Sequence, residues 1–376
     1  MAIDKFLKKF IQFTRAVKID SKEEGVIPLF LNGSQRRYIE HVAKGFENNI
    51  RYFLVLKPRQ VGMSTVCLAL DLLWIYLHEG MHGAVVSDTD TNRDYFRANL
   101  VTMNECLPRS MKVPQIIHNR NQMVLRNHSR LVYLTAGTRK TGGLGKGKGL
   151  NFLHATEVSS WVDEEGIISL ISTLAETHPN RLYTWESTAQ GFNLFYDMWE
   201  EAKKATTQMA IFIGWWSHER YSVPKTDARY RTYWDGRLAP KERNWVREVK
   251  RLYDYEIKPE QMAWWRWKLE EMIGDENYMM QNYPPTEEYA FILSGARFFT
   301  VEKLTGATRA SKGLQCDFFR YNFGHHFFDT ELVSTNVHNT ELRVWEYPDP
   351  EGVYVIGADP AYGSSPRADA FCVQVC

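Results

Sequence analysis

The chain has 376 residues, of which 44% are hydrophobic and 24% charged, the balance of a folded globular protein with a main domain and an appended piece. Its 46 Lys and Arg residues against 45 Asp and Glu residues give a formal charge of +1, which excludes a protein that coats nucleic acid through its overall charge. No apolar run reaches the roughly 18 residues of a membrane-spanning helix, and the five cysteines form no CxxC pair, so we expect a cytosolic protein without a membrane partner, a disulfide framework or a zinc site.

The first half of the chain alternates strand-like and helix-like segments. Residues 51–56 form a short apolar run typical of a buried strand, residues 57–65 a polar loop, and residues 66–76 an apolar stretch of helical length. This order of strand, turn and helix opens a βαβ unit. Further strands are predicted at 83–87, 130–134, 151–155 and 181–185. The alternation predicts an α/β fold with a mainly parallel sheet that helices cover on both faces.

The composition changes beyond residue 200, where Trp, Glu, Lys and Arg become frequent. We therefore predict four parts of the chain. They are an α/β core over 1–200, a helical accessory subdomain over 201–300, a linker with some strand over 301–350, and two strands around a Gly/Ser/Pro turn over 351–376.

The loop at 57–65 partly matches the phosphate-binding pattern GxxxxGK[ST], whose backbone N–H groups, lysine and hydroxyl bind phosphates and magnesium. Gly62 falls on its second glycine and Ser64 on its hydroxyl, while Lys57 replaces the first glycine and Met63 the lysine. Positive charge near a phosphate need not come from one position, so Lys57 or Arg59 is a candidate to supply it. The alternative is that both are solvent-exposed loop cations.

A candidate catalytic acid follows the predicted strand at 151–155. A P-loop ATPase needs a carboxylate at the end of a neighbouring strand to orient the attacking water and to assist magnesium. Glu157 fits that position, and Thr156 stands where an aspartate is usual. The Thr156 hydroxyl can hold magnesium through a water but offers no charge, so we expect weaker metal affinity than in proteins with two acids. The alternative for Glu157 is an ordinary surface residue.

Two further segments carry polar residues suited to the same chemistry. Residues 142–149 contain five glycines and two lysines, which indicates a mobile or tightly turning loop. Residues 184–193 place a Ser/Thr-rich turn directly after a strand, where it can hydrogen-bond the γ-phosphate or its water. Ser187, Thr188 and Gln190 are the candidate residues of this turn.

The segments 59–65, 153–161 and 184–193, in this order and spacing, resemble the motifs of bacteriophage DNA-packaging terminase large subunits. The resemblance extends from Gln35 to Asp359 and implies a P-loop NTPase of the ASCE type, with ATP and Mg²⁺ as its cofactors. It implies that the coupling turn comprises Ser187, Thr188 and Gln190, and that the nucleotide contacts are Gln35, Lys57, Arg59, Gln60, Gly62, Met63, Ser64 and Thr65.

The resemblance also assigns individual roles. Gln35 would recognise adenine, although a glutamine incidental to a helix cap is the alternative. Lys146, and after it Arg139, is the candidate for a cation that completes a neighbouring subunit's site. Ser64, Thr156 and Glu157 would hold the Mg²⁺ of the ATPase. Asp359 would be the first metal-binding carboxylate of an RNase H-like nuclease, for which the full-length protein needs Mg²⁺ or Mn²⁺; Asp369 lies near the next strand, and these residues alone are not expected to cut DNA.

The function implied is an ATP-hydrolysing motor that translocates double-stranded viral DNA into a prohead. Its expected partners are double-stranded DNA, the portal protein, the small terminase subunit and further copies of itself in a ring, expected to be a pentamer. The expected location is the host cytoplasm during virus assembly, and not the mature virion. Two alternatives remain open: a helicase-like, DNA-stimulated P-loop ATPase, and a P-loop scaffold that does not hydrolyse ATP.

Overall fold

A computed structural model describes most of the chain, in two compact units, Met1–Val301 and Glu302–Cys376. The described residues are 3–21, 24–136, 144–145, 147, 149–291, 310, 314–322, 331–336, 342–359 and 372–375. No helix among them is both long enough and apolar enough to cross a membrane.

The first unit is built on an eight-stranded sheet with the strand order β10-β3-β9-β8-β4-β7-β6-β5. Neighbours from β10 to β7 run parallel, and the last two strands of the order, β6 and β5, pair antiparallel. The mainly parallel sheet that the sequence predicts is therefore confirmed. Its strands are β3 (Tyr52–Leu56), β4 (His82–Ser87), β5 (Gln115–His118), β6 (Gln122–Leu125), β7 (Arg130–Thr135), β8 (Phe152–Thr156), β9 (Leu182–Ser187) and β10 (Gln208–Phe212).

Helices cover both faces of this sheet. A small antiparallel hairpin, β1 (Lys18–Ser21) with β2 (Gly25–Pro28), lies outside it. The helices of the unit are α1 (Ile3–Ala16), α2 (Gly33–Glu47), α3 (Met63–Leu77), α4 (Asp90–Cys106), α5 (Glu164–Ile171), α6 (Leu194–Lys204), α7 (Ala228–Tyr233), α8 (Pro240–Tyr253), α9 (Pro259–Glu271), α10 (Glu276–Asn282) and α11 (Glu287–Ala290).

Alternate residues of each strand enter two separate hydrophobic cores, because successive side chains of a strand point to opposite faces. From β3, Phe53 and Val55 pack with helices α1 to α4, whereas Leu54 and Leu56 pack with α5, α6, α8 and α9. Burial on both faces explains why these strands read as continuous apolar runs.

The segment beyond residue 200 contains the end of α6 and then β10, which pairs with β3 in the main sheet. Helices α7 to α11 follow it. Aromatic contacts hold them together: the ring centroids of Tyr221 and Trp264 lie 4.2 Å apart, and those of Trp245 and Trp265 4.7 Å apart. The tryptophans thus form part of one core with the sheet.

The second unit contains two small antiparallel sheets. One has the order β12-β11-β13, from β11 (Asp317–Asn322), β12 (Glu331–Thr335) and β13 (Leu342–Val344). The other pairs β14 (Ile356–Asp359) with β15 (Cys372–Val375). Two strands therefore lie where the sequence predicts them at the end of the chain, and their membership of a nuclease domain stays a prediction.

Candidate nucleotide-binding site

The predicted phosphate loop connects the end of β3 to the start of α3. Gly62 is the cap residue of α3 and adopts a left-handed conformation with φ +68°. The left-handed conformation favours glycine, and a Cβ atom at this position, 2.8 Å from Gln35 Nε2, would displace the Gln35 amide. Because Gly62 has no side chain to cap the helix, the first N–H groups of α3 are left to bind an anion.

Lys57 is a buried cation and not an exposed loop residue. Its Nζ lies 2.7 Å from Glu157 Oε1 and 3.1 Å from Glu186 Oε2, with 7% of the side chain exposed. Burial alone would lower the pKa of Lys57, but the carboxylates of Glu186 and Glu157 raise it well above its usual value. Lys57 therefore carries its charge into the interior, beside the phosphate loop.

Arg59 lies on the other side of the loop and is exposed. It donates a hydrogen bond through Nη1 to Tyr278 OH at 3.0 Å, and its backbone N–H to Asn282 O at 2.9 Å. Its carbonyl accepts a hydrogen bond from Tyr221 OH at 2.6 Å. These contacts link the loop to the helical subdomain.

Glu157 directly follows β8 and has a left-handed backbone, with φ 55° and ψ 40°. A non-glycine residue in this region costs on the order of 1–3 kcal/mol and persists only where its surroundings hold it. The side chain is 28% exposed and points into the mouth of the site, where Lys57 binds it. The structure thus places Glu157 close to the loop, as the catalytic assignment requires.

The motif analysis missed a second acid, Glu186 on β9. It is fully buried, and its Oε1 accepts hydrogen bonds from Ser64 Oγ at 2.6 Å and Thr156 Oγ1 at 2.5 Å. Burial would raise the pKa of the Glu186 carboxyl, but Lys57, His154 and the Ser64 hydroxyl hold it well below its usual value. The available signal was an acid among apolar and hydroxyl residues at the end of a predicted strand.

A buried histidine and aspartate lie behind Glu186. His154 Nδ1 on β8 is 2.6 Å from Asp71 Oδ2 on α3, and His154 Nε2 is 3.7 Å from Glu186 Oε1. Burial by itself would lower the pKa of His154, but the Asp71 and Glu186 carboxylates raise it to about 9. The imidazole is therefore protonated at neutral pH and balances part of the buried negative charge.

The predicted coupling turn lies between the acidic segment and the helical subdomain. Ser187 Oγ accepts a hydrogen bond from the Ser159 N–H at 3.0 Å, and the Ser187 carbonyl accepts one from the Lys57 N–H at 3.0 Å. On its other side, the Ala189 carbonyl accepts a hydrogen bond from Gln281 Nε2 at 2.8 Å. The turn therefore connects β3, the Glu157 segment and α10.

Gln35 occupies the first turn of α2, beneath the loop. Its Oε1 accepts a hydrogen bond from the Asn32 N–H, completing a capping box, and its Nε2 donates one to the Gly62 carbonyl at 2.8 Å. Both ends of the amide are therefore engaged by the protein, which matches the helix-cap alternative. Contact with adenine stays a prediction.

Two adjoining cavities bring the candidate residues together, and Lys57, Gln60, Asn92 and Glu157 line both. The larger, of about 470 Å³, lies between the loop and the helical subdomain; the smaller, of about 260 Å³, lies over the start of α3. The larger is also lined by Arg59, Asp88, Ser160, Thr188, Gln190, Lys268, Met272, Tyr278 and Tyr283. The smaller is also lined by Pro58, Val61, Gly62, Met63, Ser64, Thr65, Leu68, Tyr95, Phe96 and Asn99.

Several predicted residues are not among those described at this site. Lys146, Arg139 and Asp369 lie outside the described residues. Asp359 is the last residue of β14, in the second unit. Met63, although it lines the smaller cavity, is only 2% exposed and packs into the core, so it does not replace a phosphate-binding lysine.

The oxygen donors around Ser64 fit magnesium. In the part of the chain that the structure describes, no three His, Cys, Asp or Glu side chains converge as a metal site. Mg²⁺ that accompanies a nucleotide does not need such a cage, because it is held by substrate phosphates, waters and one or two carboxylates. The Ser64 hydroxyl beside Glu186, with Glu157 at the mouth of the site, offers this hard-oxygen donor set.

Comparison with known proteins gives a consistent fold. Neither a protein family nor a curated protein matches the sequence. Among solved structures, the large terminase of bacteriophage HK97 is similar with a TM-score of 0.50 and 16% identity, over 75% of this chain and 55% of that chain. This chain thus spans about half the length of the HK97 protein.

Two further structures are similar over shorter stretches. A mutant of the large terminase ATPase domain of Thermus phage P74-26 gives a TM-score of 0.37 at 14% identity, over 62% of this chain and 94% of that chain. The large terminase of a thermophilic bacteriophage, in complex with ADP, gives 0.41 at 10% identity, over 54% and 49%. The HK97 match shows that this chain has the α/β fold of a phage large terminase, as the motif resemblance predicts.

Proposed function

We propose that this chain is the ATP-hydrolysing motor portion of a DNA-packaging terminase large subunit, which translocates double-stranded viral DNA into a prohead. The observation that carries the proposal is the position of Lys57. This buried cation lies between Glu157 and Glu186, directly before a loop that leads into an uncapped helix N-terminus. An anion-binding loop, a cation and a partly exposed acid within one cavity are the parts that phosphoryl transfer requires.

Binding of ATP would act first on Lys57. The triphosphate brings more negative charge to the loop than Glu157 does, and it competes for the Lys57 ammonium. Glu157 is then released to orient the attacking water and accept its proton. Ser64 and the nearby carboxylates would hold the accompanying Mg²⁺, which neutralises charge on the phosphate oxygens.

Coupling to movement follows from the contacts of the turn after β9. Thr188 and Gln190 line the cavity that Glu157 enters, and the adjacent Ala189 carbonyl is bonded to Gln281 of α10. Loss of the γ-phosphate would shift this turn and, through Gln281 and Arg59, the helical subdomain. We propose that this movement of the helical subdomain changes its grip on the DNA.

The remaining parts of the proposal concern partners. Lys146 or Arg139 of a neighbouring subunit would complete the site in a ring of five subunits docked on the portal protein, and the small terminase subunit would deliver the DNA. Asp359 would belong to the RNase H-like nuclease of the full-length protein. Assembly of this kind takes place in the host cytoplasm, and the motor leaves before the virion matures.

The test is steady-state ATP hydrolysis over a range of protein concentrations. We expect a rate per subunit that rises with concentration, and a loss of at least about a hundredfold in Glu157→Gln, which removes the general base. Glu165→Gln is the matched control, because Glu165 is an exposed acid on α5 outside both cavities.

Other outcomes separate the alternatives. A rate independent of concentration would retain the ATPase and remove the neighbour's cation. Strand separation of duplex DNA would favour the helicase-like enzyme. Binding of ATP without hydrolysis, with DNA and portal present, would favour the scaffold and would rule out the motor function.

A further inference from the structure

The nucleotide site lacks an acid at position 156, where P-loop enzymes usually have an aspartate that assists magnesium. Thr156 is fully buried, and its hydroxyl donates its hydrogen to Glu186 Oε1. Thr156 lines neither of the two cavities, so its hydroxyl supplies neither charge nor a ligand oxygen to the site. The carboxylate that the site needs must come from another position.

Glu186 lies at the same level of the sheet, one strand closer to the phosphate loop. In the register of β8 and β9, Thr156 and Glu186 are directly paired, and Glu186 is also paired with Val55 of β3. The carboxyl ends of these three parallel strands meet at one edge of the sheet. Glu186 on β9 therefore lies between β3, which leads into Lys57 and the phosphate loop, and β8, which ends at Thr156.

The hydrogen bond from Ser64 to Glu186 gives this acid a chemical role. Ser64 Oγ donates to Glu186 Oε1 at 2.6 Å, which leaves the lone pairs of the hydroxyl oxygen free to face a cation. A carboxylate that accepts a ligand's hydrogen both orients the ligand and raises its basicity toward the metal.

The surroundings of Glu186 distinguish it from a structural buried acid. Glu242, which is 3% exposed, holds two oxygens against Arg266 and accepts the Ala239 N–H at the start of α8, so the fold itself explains it. Glu186 contacts groups of the nucleotide site: it accepts hydrogen bonds from Ser64 and Thr156 and forms an ion pair with Lys57, while His154 lies 3.7 Å away behind it.

We propose that Glu186 is the acid of the magnesium site in place of the residue missing at 156, acting as a positioning residue through the Ser64 hydroxyl. The proposal rests on the proposed function, because it needs Mg²⁺ to enter with a nucleotide. It also places the negative charge on the strand of the coupling turn, directly before Ser187. Loss of the cation would therefore change the electrostatic environment of the same strand that leads into the coupling turn.

The experiment measures the affinity for ADP by calorimetry, once with Mg²⁺ and once with EDTA, so that hydrolysis plays no part. Wild type is expected to bind ADP more tightly with Mg²⁺. In Glu186→Gln this enhancement falls by about tenfold or more, the usual cost of losing a residue that orients a metal ligand, while the affinity in EDTA changes little. Glu242→Gln is the matched control, because it neutralises a buried acid outside the cavities, and it keeps the enhancement.

Moving the acid from β9 to β8 by mutation makes the test specific. Thr156→Asp combined with Glu186→Gln returns an acid to the usual position, and we expect it to restore the Mg²⁺ enhancement to within about threefold of wild type. An unchanged enhancement in a folded Glu186→Gln protein would overturn the proposal. If that variant does not fold, the double variant decides: restored enhancement supports the proposal, and its absence overturns it.

The same measurements distinguish a failure of the proposed motor function from a failure of the role proposed for Glu186. A wild type that shows the Mg²⁺ enhancement for ADP but never hydrolyses ATP would remove the motor and leave the role of Glu186 intact. A wild type that binds ADP equally with and without Mg²⁺ would overturn the role of Glu186, whatever its hydrolysis rate.

Discussion

Two regions of the first unit bury charged side chains, and they do so in different ways. Around Arg266 in the helical subdomain, the guanidinium donates to both oxygens of Glu242, to Asp235 and to the Tyr233 and Arg237 carbonyls. Around Lys57, one ammonium contacts two carboxylates, Glu186 on β9 and Glu157 directly after β8, and His154 Nε2 lacks a hydrogen-bond partner among the described residues.

The difference in hydrogen bonding indicates that the Arg266 region serves stability and the Lys57 region serves function. A fully bonded buried network holds a fold in place, whereas an incompletely bonded one beside a cavity is poised to exchange partners. The strained backbone of Glu157 lies in the second region, as expected where structure is held for chemistry. We therefore expect substitutions at the Lys57 region to change activity, and those at the Arg266 region to change stability.

The largest effect is expected from Lys57→Met, which removes the buried cation but keeps an apolar chain of similar length. ATP hydrolysis should fall by at least about a hundredfold, because the phosphate charge and both carboxylates lose their counter-charge. Lys225→Met is the control, since Lys225 forms an exposed ion pair with Glu260. Full activity in Lys57→Met would assign the phosphate charge to Arg59 instead, and would remove the contrast between the two regions.

An intermediate effect, on stability alone, is expected from Glu242→Gln. Leaving Arg266 with one fewer charged partner should lower the free energy of unfolding by about 2–3 kcal/mol, toward the low end for a broken buried pair because Arg266 is partly exposed. Guanidinium chloride unfolding followed by tryptophan fluorescence measures the change. ADP affinity in Mg²⁺ should match wild type; a lower affinity with unchanged stability would mean that this region also serves the site.

The smallest effect concerns pH. The folded pKa of His154, about 9, lies above the ordinary value of about 6.5, so its protonated form contributes stability that is fully present below pH 6.5. That contribution is lost as the pH rises through 9. The melting temperature should therefore fall over this range in wild type and in the exposed-site control His82→Gln, and less in His154→Gln. Equal slopes in all three proteins would contradict the protonated state.

The motif residues were accessible to prediction because their signals are local. A short apolar strand, a loop with Gly62 and Ser64, and an apolar helix follow one another within residues 51–76, and a hydroxyl-rich turn follows the strand before Ser187. Glu186 lies in that last segment, but its role is not predictable from the segment because it depends on the hydrogen bond from Ser64, which is 122 residues away. Gln35 was assigned to adenine from its motif, whereas its contacts to Asn32 and Gly62 appear only in the fold.

The α/β class, five strands of the main sheet and the positions of the loop, the acid and the turn could be predicted from the sequence, since hydrophobic periodicity and turn chemistry act between near neighbours. Which charges meet depends on the fold. The crossovers of a parallel sheet bring the ends of β3, β8 and β9 together and join Lys57 to Glu157, 100 residues apart, and Asp71 to His154, 83 residues apart. No local pattern specifies those pairings, because they depend on which strands become neighbours.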